Sequence, residues 1–175
     1  MGQYKKIDNL DRIIVATDYN NRLVASLIHS FKYQFITDLG DILSDYLVEA
    51  VKDSLLNYQY DFVVPVPLSR KRKLWRSFNQ SDVLAKKISQ KFHLVYKPDL
   101  LVRSYNVSPQ VGSSAKVRKS NVKGVFKINK PTDLKNKKIL LVDDVITSGA
   151  TVGECAKILK SAGAEQVTAL AIAQG

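Results

Sequence analysis

Leu23, Val24, Leu27, Ile28 and Phe31 recur at intervals of three and four, the spacing that lines one face of a helix with apolar side chains. Leu39, Ile42, Leu43, Tyr46, Leu47, Ala50 and Val51 repeat it behind Thr37, a residue suited to cap a helix start. Two helices are therefore predicted, and residues 1–57 read as mainly helical. At "YDFVVPVPL" the helical period stops. A short β-branched run closed by Pro65 and Pro67 takes its place, predicting a buried strand that runs into a constrained loop. Helical spacing returns in "SFNQSDVLAKKISQKF" through Leu84, Ile88 and Phe92, with Ser77 as its candidate cap. "HLVYKP" predicts a second strand.

From Arg103 to Asn121 the apolar period is lost again, and Pro109, Gly112 and several serines predict a long loop with one helical turn near Ala115 to Lys119. "GVFKI" predicts a third strand and "KKILLVDD" a fourth, after a turn at Asn136. Val152, Cys155, Ala156, Leu159 and Ala162 mark a helical face that stops at Gly163. "QVTALAIA" is the fifth strand. Apolar strands alternating with helices predict an α/β fold, its mostly parallel central sheet covered by helices on both faces. The expected organisation is one domain over 1–175, with the sheet core in 58–175. Ligands of such sheets bind beyond the carboxyl ends of the strands.

Composition narrows the class of partner. Lys and Arg number 27 against 16 Asp and Glu, a formal charge of +11, which favours nucleotides, phosphorylated sugars or nucleic acid without choosing between them. Cys155 is the single cysteine, so neither an internal disulfide nor a four-cysteine zinc site is expected, and a reducing cytoplasm suits the chain. The first apolar cluster, Ile13 to Ala16, is too short for a secretory signal, and no run approaches a membrane span. Lys6 stands where a myristoylation signal needs Ser or Thr.

The stretch "KKILLVDDVITSGAT" carries the chemistry. Thr147, Ser148, Gly149, Ala150 and Thr151 follow a strand and open a helix, so backbone N–H groups, hydroxyls and a helix N-terminus converge on one point suited to phosphate. Taken alone, the loop reads equally as a structural helix cap. Asp143 and Asp144 separate the two readings, because neighbouring carboxylates bracket the vicinal hydroxyls of a ribose. Neither GxxxxGK[ST] nor GxGxxG occurs.

"ILLVDDVITSGAT" resembles the phosphoribosyl pyrophosphate (PRPP) motif of type I phosphoribosyltransferases. "DFVVPVPLSRKRKLWRSFNQ" narrows the resemblance to the ComF family of competence-associated phosphoribosyltransferase-like proteins, as do "LIHSFKY" and the spaced Arg103, Gln110, Arg118, Asn121, Gly124 and Phe126. The similarity runs from about Ala16 to the end. It implies a type I phosphoribosyltransferase fold, with Asp143 and Asp144 on the ribose hydroxyls and Thr147 to Thr151 around the 5′-phosphate. Val66, Pro67, Leu68, Ser69 and Arg70 would form the pyrophosphate loop, supported by Asn79 and Gln80. Arg70, Arg72, Arg103 and Arg118 are the expected catalytic cations, and Lys116 joins Arg103 and Arg118 on the long loop. Mg²⁺ would arrive with PRPP, and no zinc is expected. Expected partners are PRPP with a base or nucleotide, single-stranded DNA with a competence helicase, and further copies of the chain. No membrane is among them.

Three departures from the family pattern stand out. Many relatives begin with a four-cysteine zinc module that one cysteine cannot build. Ser77 replaces the glycine usual in "RGFNQ", and Val107 replaces a threonine. Trp75, amid Arg70, Lys71, Arg72, Lys73 and Arg76, reads either as a base-stacking residue beside phosphate contacts or as an aromatic packed on its own domain. His29, His93 and Cys155 read as structural residues. The competing functions are a non-catalytic single-stranded DNA-binding factor and an orotate or purine phosphoribosyltransferase.

Overall fold

A computed structural model describes residues 7–33, 38–104, 122 and 124–175. The elements in chain order are β1 (Arg12–Asp18), α1 (Arg22–Tyr33), α2 (Asp38–Leu56), β2 (Phe62–Pro65), α3 (Arg70–Arg76) and α4 (Gln80–Phe92). Then follow β3 (Val95–Tyr96), β4 (Leu101–Arg103), β5 (Phe126–Ile128), β6 (Lys138–Ile146), α5 (Ala150–Ser161) and β7 (Gln166–Gln174).

Ile139, Leu140, Leu141 and Val142 are apolar without alternation because β6 lies at the centre of the sheet, where both faces are covered. Successive side chains point to opposite faces. Leu140 and Val142 enter a core formed with Leu170 and Ile172 of β7, Ile28 and Phe31 of α1, Leu43 and Leu47 of α2 and Leu84 and Ile88 of α4. Ile139 and Leu141 enter the other, with Val152, Cys155 and Leu159 of α5, Leu101 of β4 and Phe126 of β5. The five strands run parallel in the order β1-β7-β6-β2-β3. This is the expected α/β architecture, a parallel central sheet flanked by helices.

Several elements differ from expectation. The first third also supplies β1, which pairs with β7 from Arg12↔Thr168 to Asp18↔Gln174. Its half-buried edge position leaves only a short apolar run, and its partner lies at the far end of the chain. The constrained loop expected after Pro67 gives way at Arg70 to helix α3, where the Ser69 Oγ accepts from the Arg72 N–H at 3.3 Å. Five charges hid its period. Ser77 caps the end of α3, whereas Asn79 stands at the start of α4. The "GVFKI" strand is β5, and it pairs antiparallel with β4 in a separate two-stranded sheet. Arg103 ends β4 and does not open a loop. Strand β6 continues past the acids to Ile146, with Asp143 in register with Ala171. Thr37 and the turn expected near Ala115 to Lys119 lie outside the described residues.

Ser77 has φ 64° and ψ −18°, the left-handed conformation that costs a residue with a Cβ. A glycine at this position would carry no such cost. Ser77→Gly should therefore stabilise the protein by about 1 kcal/mol, read as a higher urea midpoint at unchanged slope. An unchanged or lower midpoint would contradict the strain argument.

Candidate functional site

The carboxyl end of β6 brings two carboxylates to consecutive positions, and each finds a different helix. The Ser81 hydroxyl, in the first turn of α4, donates to Asp143 Oδ1 at 2.9 Å. The Asp144 backbone N–H donates to the same oxygen at 2.9 Å. Asp144 is itself held by Lys32 from the last turn of α1, with Nζ 3.0 Å from Oδ2 and side-chain exposures of 19% and 12%. Burial pushes the Asp143 carboxyl up, to about 7, and the neighbouring Asp144 carboxylate adds to the rise. The Ser81 hydrogen bond and the Lys32 charge act the other way. The site thus holds two carboxylates against one ammonium, and it favours a ligand that offers hydrogen-bond donors.

Directly after β6, Thr147 and Ser148 are exposed and Gly149 takes φ 74° at the N-cap of α5. Glycine meets two demands there. A side chain in that conformation is strained, and a Cβ would lie 2.4 Å from Ile7 Cδ1. A glycine N-cap has no side chain to offer the first N–H groups of the helix, so they face the loop with a positive partial charge. The Ser148 Oγ accepts weakly from Ala150 N at 3.4 Å. Asp143, Val145, Ile146 and residues 147–152 line a shallow pocket of about 30 Å³. A roomier cavity of about 470 Å³, lined by Leu55, Tyr58, Tyr60 and Lys138, opens where β2 and β6 begin. It lies at the opposite end of the sheet from the acids.

The segment Val66 to Arg70 is stitched beside the acids. The Val66 N–H donates to the Val142 carbonyl at 2.9 Å, one residue before Asp143. The Val66 carbonyl in turn accepts from Asn79 Nδ2 at 3.0 Å. Pro67 and Leu68 continue along a cavity of about 410 Å³ that also meets Asn79, Asp82 and Arg103. Ser69 caps α3, Arg70 opens it and Arg72 is exposed; the side chain of Arg70 lies outside what the structure describes. Buried Arg76 donates from Nη1 to Gln80 Oε1 at 3.1 Å. Asn79 and Gln80 thus fasten the loop and α3 to the start of α4, which also carries Ser81.

Arg103 stacks its guanidinium 5.4 Å from the centre of the Phe126 ring. Burial lowers its pKa, and the nearby Arg72 charge lowers it further. Gly124 donates its N–H to Glu154 Oε1 at 2.8 Å. Gln110, Lys116, Arg118 and Asn121 lie outside the described residues. Cys155 is fully buried in the core against β6, and burial pushes its thiol well up, as expected of a structural cysteine. His93 ends α4 in the left-handed conformation. No group of three or more His, Cys, Asp or Glu that could hold a metal occurs among the described residues, and no helix among them is long and apolar enough to cross a membrane. Two site residues escaped sequence reasoning. Lys32 sits in the quoted "LIHSFKY" and Ser81 directly follows "FNQ", yet only tertiary packing brings them to the acids.

A family model described as a phosphoribosyl transferase domain matches residues 79–175, from Asn79 through the acids to the last strand. With the DNA utilization protein YhgH of Escherichia coli strain K12 the chain is 32% identical over 159 residues, 89% of this chain and 69% of that protein. With Competence protein F of Haemophilus influenzae it is 29% identical over 174 residues, 97% of this chain and 76% of that protein. The chain belongs to the ComF family of phosphoribosyltransferase-like proteins. Among solved structures, the purine phosphoribosyltransferase of Pyrococcus horikoshii Ot3 superposes with a TM-score of 0.51 at 17% identity, covering 76% of this chain and 73% of that one. At that identity the likeness is one of fold. For this ComF-family chain the match spans all of the polar network that ties α4 to β6.

The raised Asp143 carboxyl has a thermodynamic consequence. Between about pH 4 and pH 7 the folded protein retains a proton that the unfolded chain has released, so its stability falls as pH rises through that window. Asp143→Asn keeps an oxygen to accept from Ser81 and from the Asp144 N–H but cannot ionise. Urea unfolding at pH 5 and pH 8 should show wild type losing more stability than the variant over that interval. Parallel losses would contradict the assignment.

Proposed function

We propose that the chain binds PRPP as its magnesium complex and transfers the phosphoribosyl group to a nitrogen of a base or nucleotide. One observation carries the reading. The adjacent carboxylates of Asp143 and Asp144 are followed by a helix N-terminus capped by glycine and lie beside the loop stitched by Val66 N–H to Val142. Hydroxyls, 5′-phosphate and pyrophosphate of one ligand each meet matching chemistry in that order. Asp143 and Asp144 accept from the ribose hydroxyls. Residues 147–151 donate to the 5′-phosphate through N–H and O–H groups. The donor set is two carboxylates, one of them held by Lys32, so the metal belongs with the substrate. When bound, Mg²⁺ neutralises charge on the pyrophosphate.

In the reaction the acceptor nitrogen forms a bond to C1 of the ribose while the bond from C1 to the pyrophosphate oxygen breaks. Pyrophosphate leaves with the electron pair, and the acceptor nitrogen gives up its proton to the departing pyrophosphate. Positive charge develops on the ribose ring, which the flanking carboxylates stabilise. Arg70, Arg72 and Arg103 are assigned to the leaving pyrophosphate, with Lys116 and Arg118 assigned to closing the site against water.

Calorimetric titration of PRPP with Mg²⁺ tests the reading. Wild type should bind saturably, and Asp144→Asn should bind at least about tenfold more weakly, a loss of about 1.4 kcal/mol. Pyrophosphate release that depends on an added base would establish turnover. A well-folded wild type that binds no PRPP would overturn the proposal.

A second reading rests on helix α3. Leu74 and Trp75 are 73% and 61% exposed within its basic sequence. The names of the relatives speak of DNA utilization and competence. A DNA-handling role alongside a helicase would use this surface to follow single-stranded DNA, phosphates on the cations and bases on the indole. Its affinity should fall steeply with salt, by a slope of about −0.7 for each phosphate contacted. An affinity insensitive to salt would contradict it.

A further inference from the structure

The ε-ammonium of Lys32 reaches Asp144 from outside the PRPP motif, from the last turn of α1 and across the core from the strand it contacts. Its position differs in kind from the other groups around the acids. Ser81 and the Asp144 N–H both address Asp143 Oδ1, where they orient a carboxylate that has no cation of its own. Lys32 instead addresses the second carboxylate, at Oδ2, and among the described residues Asp144 is its one ion-pair partner. An ammonium has three N–H donors, so the contact to Asp144 leaves others available at the same spot.

A sugar hydroxyl both donates and accepts. A carboxylate paired with an ammonium, as Asp144 is with Lys32, satisfies only the first capacity, because it has no proton to give. A hydroxyl placed between Asp144 and Lys32 gives its proton to the carboxylate and receives an N–H from the ammonium, so both capacities are met by charge-assisted bonds. We infer that Lys32 reads a ribose hydroxyl jointly with Asp144 and thereby sets the preference of the site for ribose over deoxyribose. This rests on the phosphoribosyl reading of the same site. The alternative is a purely structural ion pair that fastens α1 to the sheet.

The energetic expectation follows from the partners left behind. A deoxy sugar would leave the partly buried ion pair without the hydroxyl it is arranged to hold, and sites built around a hydroxyl discriminate strongly against ligands that lack it. Apolar contact with the sugar ring would barely register the difference.

The test uses the whole chain with ribose 5-phosphate and its 2-deoxy and 3-deoxy counterparts, measured by calorimetry on wild type and Lys32→Met. Methionine keeps the length and apolar stem of the side chain and removes its donors. Wild type should favour ribose 5-phosphate over one deoxy sugar by at least about tenfold, and Lys32→Met should reduce that preference to about threefold or less while still binding the phosphorylated sugars. A preference that survives undiminished in a folded Lys32→Met would overturn the inference and leave the phosphoribosyl reading standing. Absence of wild-type binding to all three would overturn the inference, and the PRPP titration then decides the phosphoribosyl reading separately. Should Lys32→Met not fold, reductive methylation of wild type read by mass spectrometry decides. At equal occupancy ribose 5-phosphate should protect Lys32 more than the deoxy sugar that binds less well, and equal protection would overturn the inference.

Discussion

Two carboxylates on consecutive residues of a buried strand repel each other, and the rest of the site is arranged around holding them there. Strand β6 gives them no choice of position, because Ile139 to Val142 are fixed between the two cores. Compensation comes from helices that the same strand packs against. The Ser81 hydroxyl and the Asp144 N–H converge on Asp143, and Lys32 pairs with Asp144. The compensation is incomplete. Asp143 stays hard to ionise because burial and a neighbouring negative charge outweigh its hydrogen bonds. A strand end that served only the fold would gain by replacing Asp143 with a neutral residue, whereas Asp144 has the Lys32 ammonium to balance it.

The same strand also sets where the loop and the helix N-terminus lie relative to the acids. Val66 is bonded to Val142 and Asn79 to Val66, so the loop between β2 and α3 is tied one residue from Asp143. Gly149 caps α5 three residues after β6 ends, with Ile7 packed where its side chain would be. Asn79, Gln80 and Ser81 run in sequence from the loop to the acid. The three residues act as a brace: one on the loop, one on α3 through Arg76, one on Asp143.

The centre of this arrangement was legible in the sequence. Four apolar residues before two acids announced a central strand, and the Val152 to Leu159 spacing announced the helix behind it. Elements without that contrast were not legible. Strand β1 hides because an edge strand needs little apolar surface, and its pairing with β7 spans the length of the chain. Helix α3 hides because its sequence is a run of charges that only the Ser69 cap organises. The antiparallel pair β4 and β5 depends on register between short segments either side of a long connection. Lys32 and Ser81 were invisible as site residues for a related reason: a lysine at a helix end and a serine after a glutamine are ordinary in sequence, and packing alone delivers them to the acids.

A crystal structure of the protein grown with PRPP and Mg²⁺ examines the phosphoribosyl cradle most directly. The ribose hydroxyls should lie within hydrogen-bond distance of the Asp143 and Asp144 carboxylates, with the 5′-phosphate on the N–H and O–H groups of residues 147–151. PRPP bound elsewhere, or bound with its hydroxyls turned away from both acids, would contradict the account.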